Sequence, residues 1–224
     1  MRIALLNEFS QSNKNPLIFE TLKKVVKESE HTVYNVGMQK PLLSKDLPEA
    51  YTDENPRLTY LHLGVQAALL LNSQAVDFVL TGCGTGQGAL MSLNSYPGVF
   101  CGYCIDPTDA FLFSQINNGN ALSIPFAKGF GWGAEINLEM IIDRAINSSR
   151  GQGYPLENKA SQNKNVHLLK QLRQTTTISL ENILKKLDPE FLSTCLTPRF
   201  LECFHQGEYA DAYLPILERI QNKQ

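Results

Sequence analysis

Residues 76 to 94 read VDFVLTGCGTGQGALMSLN, an apolar run joined to an apolar helical stretch by Gly82-Cys83-Gly84-Thr85-Gly86-Gln87-Gly88. This strand-loop-helix unit limits the architecture more than any other segment. It is the connection of a parallel strand to a helix packed on the sheet. Four glycines in seven residues let the backbone take positive φ and turn its N–H groups toward an anion. The helix that follows aims its positive end at the same point. A thiol held there, Cys83, is expected to be a better thiolate than a free one. The plainer alternative is a tight turn around a structural cysteine.

The rest of the chain repeats the alternation. Apolar runs predict strands at Arg2 to Leu6, Thr32 to Val36, Val76 to Thr81, Val99 to Cys104 and Ala121 to Pro125. Helical spacing predicts helices at Pro16 to Glu28, Thr59 to Leu71, Gly88 to Leu93, Thr108 to Asn117 and Ala134 to Ile146. Asn15 before Pro16 and Asp106 before Pro107 read as caps with proline in the first turn. The class is α/β, a doubly wound sheet. Such sheets bind ligands beyond the carboxyl ends of their strands, an edge that should gather Asn7, Glu8, the Gly82 to Gly88 loop and Asp106. From Asn147 the polar SSRGQGYPLENKASQNKN reads as a linker. Beyond it Val166 to Leu187 and Pro189 to Ile220 show helical spacing, broken at Asp188-Pro189 and Thr197-Pro198. The expected division is a sheet domain over 1–155, then linker and helical extension over 156–224.

Composition sets aside several partners. A net charge of −2 with 19% charged residues offers no electrostatic pull on nucleic acid or an acidic membrane surface, so a small molecule is expected. MRIALLNEFS is too short for a signal-peptide core and no run approaches a membrane span, which predicts a cytoplasmic protein. Five cysteines, an odd number, fit reduced thiols. Cys101 and Cys104 form C-x-x-C inside a strand-like run, where positions three apart face opposite sides and share neither a metal nor a disulfide. With the four histidines scattered, no metal and no cofactor are assigned.

The stretch from Tyr60 to Asn120 resembles the sugar-phosphate isomerase family of type B ribose-5-phosphate isomerases and galactose-6-phosphate isomerase subunits. Cys83-Gly84-Thr85-Gly86 matches its Cys-Gly-Thr-Gly loop, with a further loop glycine at Gly88. Tyr60 and His62 match its Tyr-x-His, Cys104 to Pro107 its Cys-x-x-Pro, and Asn117 to Asn120 its Asn-x-x-Asn. The resemblance covers roughly residues 1 to 155, and the helical tail falls outside the short family members. It implies a mostly parallel, five-stranded Rossmann-like sheet and interconversion of an aldose phosphate with a ketose phosphate through a cis-enediolate. Cys83 would be the base, and the Gly84 to Gly86 amides with the Thr85 hydroxyl would hold the enediolate oxygen. Substrate contacts are expected from Asn7, Glu8, Tyr60, His62, Gly82, Gly84, Gly86, Gln87, Gly88, Asn117 and Asn120. The family builds its site between two subunits, which implies a homodimer.

The chain departs from the family pattern at two histidines. Asp-His after the first strand reads Glu8-Phe9, and His-Asn-Asp reads Ile116-Asn117-Asn118. Either His62 or Glu8 opens the sugar ring, or the substrate is already open-chain. Phosphate-gripping arginines have no clean counterpart; Arg150, Lys159 and Lys164 are candidates, with Lys14 a further one. Phe111, Phe113, Phe126, Phe130 and Trp132 read as core or subunit interface. Structural alternatives stand beside the site roles: His62 a satisfied helix-start histidine, Asn7 and Glu8 caps of the next turn, Asn117 and Asn120 helix-end residues that tolerate left-handed φ. Two rival functions remain. One is a catalytically silent sugar-phosphate sensor on the same scaffold. The other is a dinucleotide-binding protein, from G-x-G-x-x-A at Gly84 to Ala89 with Asp106 for a ribose hydroxyl, although here the motif follows the third strand rather than the first.

Overall fold

The computed structural model describes residues 1–221. Its sheet has five parallel strands in the order β2-β1-β3-β5-β4. They are β1 (Arg2–Leu5), β2 (Thr32–Asn35), β3 (Phe78–Cys83), β4 (Cys101–Tyr103) and β5 (Ala121–Pro125). Helices α1 (Asn15–Val26), α2 (Tyr60–Asn72), α3 (Gln87–Asn94) and α4 (Pro107–Leu112) make the four crossovers, and α5 (Ala134–Ile146) follows the last strand. The last two strands exchange places at the sheet edge.

Strand side chains alternate between two cores. Ala4, Val79, Cys83, Cys101 and Ala121 face α2 and α3. Ile3, Leu5, Phe78, Leu80, Leu122 and Ile124 face α1 and α5. Burial on both faces is why β3 and β5 read as near-continuous apolar runs rather than alternating ones. Cys101 and Cys104 fall into opposite cores, as the strand period requires.

Two local expectations are corrected. Asn15 does not cap α1: it is the first residue of that helix, and its amide is spent on Asn7 and Asn35. Asp106 does cap, accepting from the Asp109 N–H at 2.9 Å. The segment read as a linker carries helix α6 (Lys159–Thr176), which starts seven residues before the expected Val166. Not one of its side chains is buried, and its first seven residues, KASQNKN, hold a single apolar one, so the start of the helix shows no apolar stripe. Ahead of it the Gly151 and Gly153 N–H groups donate to the carbonyls of Ser114 and Gln115, laying the chain along a π-turn at Phe113–Asn117.

Helices α7 (Leu180–Leu184), α8 (Pro189–Cys195), α9 (Pro198–Phe204) and α10 (Leu214–Gln221) follow. Asp188 and Thr197, the expected breaks, cap α8 and α9 by accepting from Phe191 and Phe200. These helices bury Leu184, Leu192, Phe200, Phe204 and Leu217 in the same core as α2 and α3. The reason lies in α2, YLHLGVQAALLLN, buried at every position from His62 to Leu70. A helix apolar on all sides needs cover on both. The sheet covers one side and the tail the other, with the Gln66 amide donating to the Cys195 carbonyl at 2.8 Å.

Candidate active site

Cys83 ends β3 directly opposite Pro125 of β5, at the carboxyl edge of the sheet. The next residues turn there because Gly86 takes φ +74° as the N-cap of α3, where a side chain would meet Tyr103 and the Pro125 backbone. The carbonyls of the turn all point into the protein. Cys83 accepts from Phe126 N–H at 2.9 Å, and Gly84 from Ala127 and Lys128 N–H at 2.9 and 3.1 Å. Thr85 accepts from the Tyr103 hydroxyl at 3.1 Å, and Gly86 from Ser123 Oγ at 2.6 Å and Leu90 N–H at 3.1 Å. In a trans peptide the N–H is antiparallel to its carbonyl. The Gly84, Thr85 and Gly86 N–H groups are therefore turned the other way, off the sheet edge and beside the α3 amino end. Gln87 begins α3 exposed, its N–H 3.4 Å from Thr85 Oγ1.

Tyr60 joins this loop. It opens α2 half in solvent, and a Cβ on Gly88 would sit 3.1 Å from its ring, so glycine is what admits the aromatic face. Gly82 serves packing: a side chain there would collide with the Ile124 carbonyl and the Phe126 ring.

His62 is a helix cap. Its Nδ1 accepts from the Thr59 N–H at 2.9 Å, completing a capping box, and its ring packs tilted against Phe191 of α8 with centroids 4.6 Å apart. Burial lowers its pKa and Arg57 acts in the same direction, and an Nδ1 that accepts an N–H is unprotonated.

Glu8 also caps, accepting from Ser10 N–H at 2.8 Å and Ser10 Oγ at 2.5 Å. It starts a polar chain along the site floor. Ser10 Oγ accepts from Gln11 Nε2 at 2.9 Å, Gln11 Oε1 accepts from Lys14 at 3.1 Å, and Lys14 reaches the Phe126 carbonyl. Gln11 Nε2 lies 3.6 Å from where a Gly84 Cβ would stand, so this chain borders the thiol loop. Asn7 is wholly buried, its amide divided between the Met38 carbonyl and Asn15. At Phe9 the Arg57 guanidinium lies 3.6 Å from the ring centroid, bringing an exposed cation to the end of β1. Ser10, Gln11 and Arg57 were missed in the sequence because single polar residues in loops carry no periodicity.

Asn117 and Asn120 are not brought to Cys83. They precede β5, at the amino edge of the sheet, a full strand or roughly 16 Å from Pro125. Asn120 accepts from Phe100 N–H at 2.8 Å and donates to the Gly98 carbonyl at 2.7 Å, while the left-handed residue is Asn118, φ +46°. Arg150 is drawn inward, its guanidinium bonded to the Ala145 and Gly119 carbonyls, and Lys159 bonds Gln152. Trp132 is fully exposed rather than core, whereas Phe126 is buried. Burial pushes the thiols of Cys104 and Cys203 up to about 12, and raises Cys101 and Cys195 further.

Strand order reverses between β1 and β3, and it is there that the Glu8 chain and the Cys83 loop meet. That defines an α/β protein of the doubly wound class with a thiol-bearing, amide-lined loop at its switch point. A profile of the Ribose/Galactose Isomerase family matches residues 18–144. The chain belongs to that family, and it is a sugar isomerase of the resemblance drawn from its residues. A crystal structure of 4-deoxy-L-threo-5-hexosulose-uronate ketol-isomerase, complexed with a tartrate, is 43% identical with TM-score 0.87, over 97% of this chain and 100% of that one. A ribose-5-phosphate isomerase from Vibrio parahaemolyticus is also 43% identical, TM-score 0.89, over 98% and 99%. The type B ribose 5-phosphate isomerase of Leishmania infantum shares the fold at 18% identity, TM-score 0.60, over 79% of this chain and 98% of that one. The first two alignments run through the C-terminal helices. Among the described residues no helix is long and apolar enough to cross a membrane.

Proposed function

We propose that this protein interconverts the aldose and ketose forms of an anionic sugar through a cis-enediolate, with Cys83 as the base. The observation that carries the reading is the loop in which every carbonyl from Cys83 to Gly86 is bonded inward, turning the intervening amides outward beside the thiol. The Cys83 thiolate removes a proton from one carbon and returns it to its neighbour, while the Gly84 to Gly86 N–H groups and the Thr85 hydroxyl hold the oxygen on which charge develops. Tyr60 walls the site beside Gly88. Both ends of the Glu8 carboxylate and His62 Nδ1 are already engaged, which favours a substrate that arrives with its ring open.

The anionic group of the substrate was read from the sequence as phosphate. One observation removes a phosphate ligand from its expected place: Arg150, the candidate phosphate arginine, is committed to backbone carbonyls. Two full-length relatives at 43% identity divide between a ketol-isomerase of a hexosulose uronate and a ribose-5-phosphate isomerase, so the anionic group is a carboxylate or a phosphate. Arg57, exposed on Phe9, is the cation placed to meet such a group. The site is completed in a homodimer, where the partner supplies Asn117 from the edge that faces away from Cys83 in its own chain.

The test is solvent-deuterium exchange over ribose 5-phosphate, related four- to six-carbon sugar phosphates and hexosulose uronates. Exchange into one class, lost by about 10³-fold in Cys83→Ser, is expected. Silence across the panel, or undiminished exchange in that variant, sinks the reading.

A further inference from the structure

Trp132 is the single tryptophan of the chain and stands wholly in solvent, on the loop Lys128-Gly129-Phe130-Gly131-Trp132-Gly133. At Gly129, Gly131 and Gly133 there is open space where a Cβ would be, and Gly129 and Gly133 take φ +71° and +79°. At these three positions the crest of the loop packs against nothing. Its root is the reverse. Phe126, Ala127 and Lys128 donate their N–H groups to the Cys83 and Gly84 carbonyls. Midway, the Phe130 ring sits 4.6 Å from Lys14, the last member of the polar chain that begins at Glu8. A cavity of about 170 Å³ lies against the loop, lined by Pro125, Lys128, Phe130 and Asn137 among others. The loop thus springs from the backbone of the thiol turn, is pinned once at the switch point, and ends in an indole two residues later.

An indole offers a broad apolar face with a polar N–H at its edge. The C–H face of a sugar packs on such a surface while its hydroxyls stay hydrated or bonded. We propose that Trp132 is a substrate-contacting residue: the 128–133 loop folds over the sugar at Cys83 and lays the indole on its C–H face. Closing the site in this way keeps water from the enediolate and holds the reacting carbons against the sulfur. The proposal rests on the isomerase reading for the class of ligand and for its place at Cys83.

The tryptophan is its own probe. In Cys83→Ser, where sugar binds without turning over, titration with ribose 5-phosphate and with a hexosulose uronate should shift the emission to the blue with one of them, saturably. In the otherwise unchanged enzyme, Trp132→Ala should lower kcat/KM about tenfold and Trp132→Phe should restore most of it. Turnover with emission indifferent to sugar, or unchanged kcat/KM in Trp132→Ala, overturns the proposal. So does emission that follows protein concentration alone, which assigns the indole to contact with a second copy. A saturable shift without turnover of any sugar leaves Trp132 in place and removes the isomerase reading instead.

Discussion

Around Cys83 the deciding feature is the direction of peptide groups. An anion site made of side chains would show as lysines and arginines in the sequence; one made of amides shows only as glycines that permit the turn. That is why Cys83, Gly84, Thr85 and Gly86 were legible together, and why Arg57 was not. Nothing in ENPRLTY singles out Arg57 until Phe9 is found beneath it. Replacing Arg57 by Ala is expected to raise KM for the anionic substrate about tenfold with little change in kcat, since the group binds ground and transition states alike. Steady-state kinetics decide this, and an unchanged KM removes Arg57 from the site.

Elements set the positions of those residues, and the α2 start is the clearest case. Thr59 and His62 form its cap, Tyr60 between them leans on Gly88, and Phe191 of α8 presses on the imidazole. His62 therefore acts through the helix end. Its folded pKa is depressed, first by burial, below the ordinary 6.5. The unfolded chain takes up the proton first as pH falls, so this contribution to stability is whole above about 6.5 and drains below it toward the depressed folded value. His62→Gln keeps a capping side chain but does not titrate. Thermal melts from pH 8 to 5 should show a shallower acid slope in that variant, and equal slopes would mean that the imidazole is not held neutral. The first seven residues of α6 teach the opposite lesson: Lys159 to Asn165 are polar but for Ala160 and bury nothing, so they passed for a linker while the helix from Val166 on was read.

For the whole molecule, the tail and the second copy matter most. Phe200 and Phe204 are fully buried in the core that also holds Leu63 and Ala89. Phe204→Ala is expected to cost about 3–5 kcal/mol, measured by denaturant unfolding as one transition with the sheet. A separate early transition would instead make the tail an independent unit. The proposed dimer has an equally direct test. Cys83→Ser and Asn117→Ala, each inactive alone, should recover about a quarter of normal turnover when unfolded and refolded together, because half the dimers are mixed and one of their two sites is intact. No recovery would place Asn117 outside the site.

The chain by itself determined the α/β class, all five strands and the thiol loop, since these follow from apolar period and from glycine's freedom at positive φ, both local properties. It also carried the family in its Cys-Gly-Thr-Gly turn. What only the tertiary structure decided is which distant residues meet: Gln11 against Gly84, Arg57 on Phe9, Phe191 on His62, and Asn117 an entire strand away from the sulfur. Those pairings depend on how helices cross the sheet and where the chain turns back, and spacing along a sequence holds no record of distances across it.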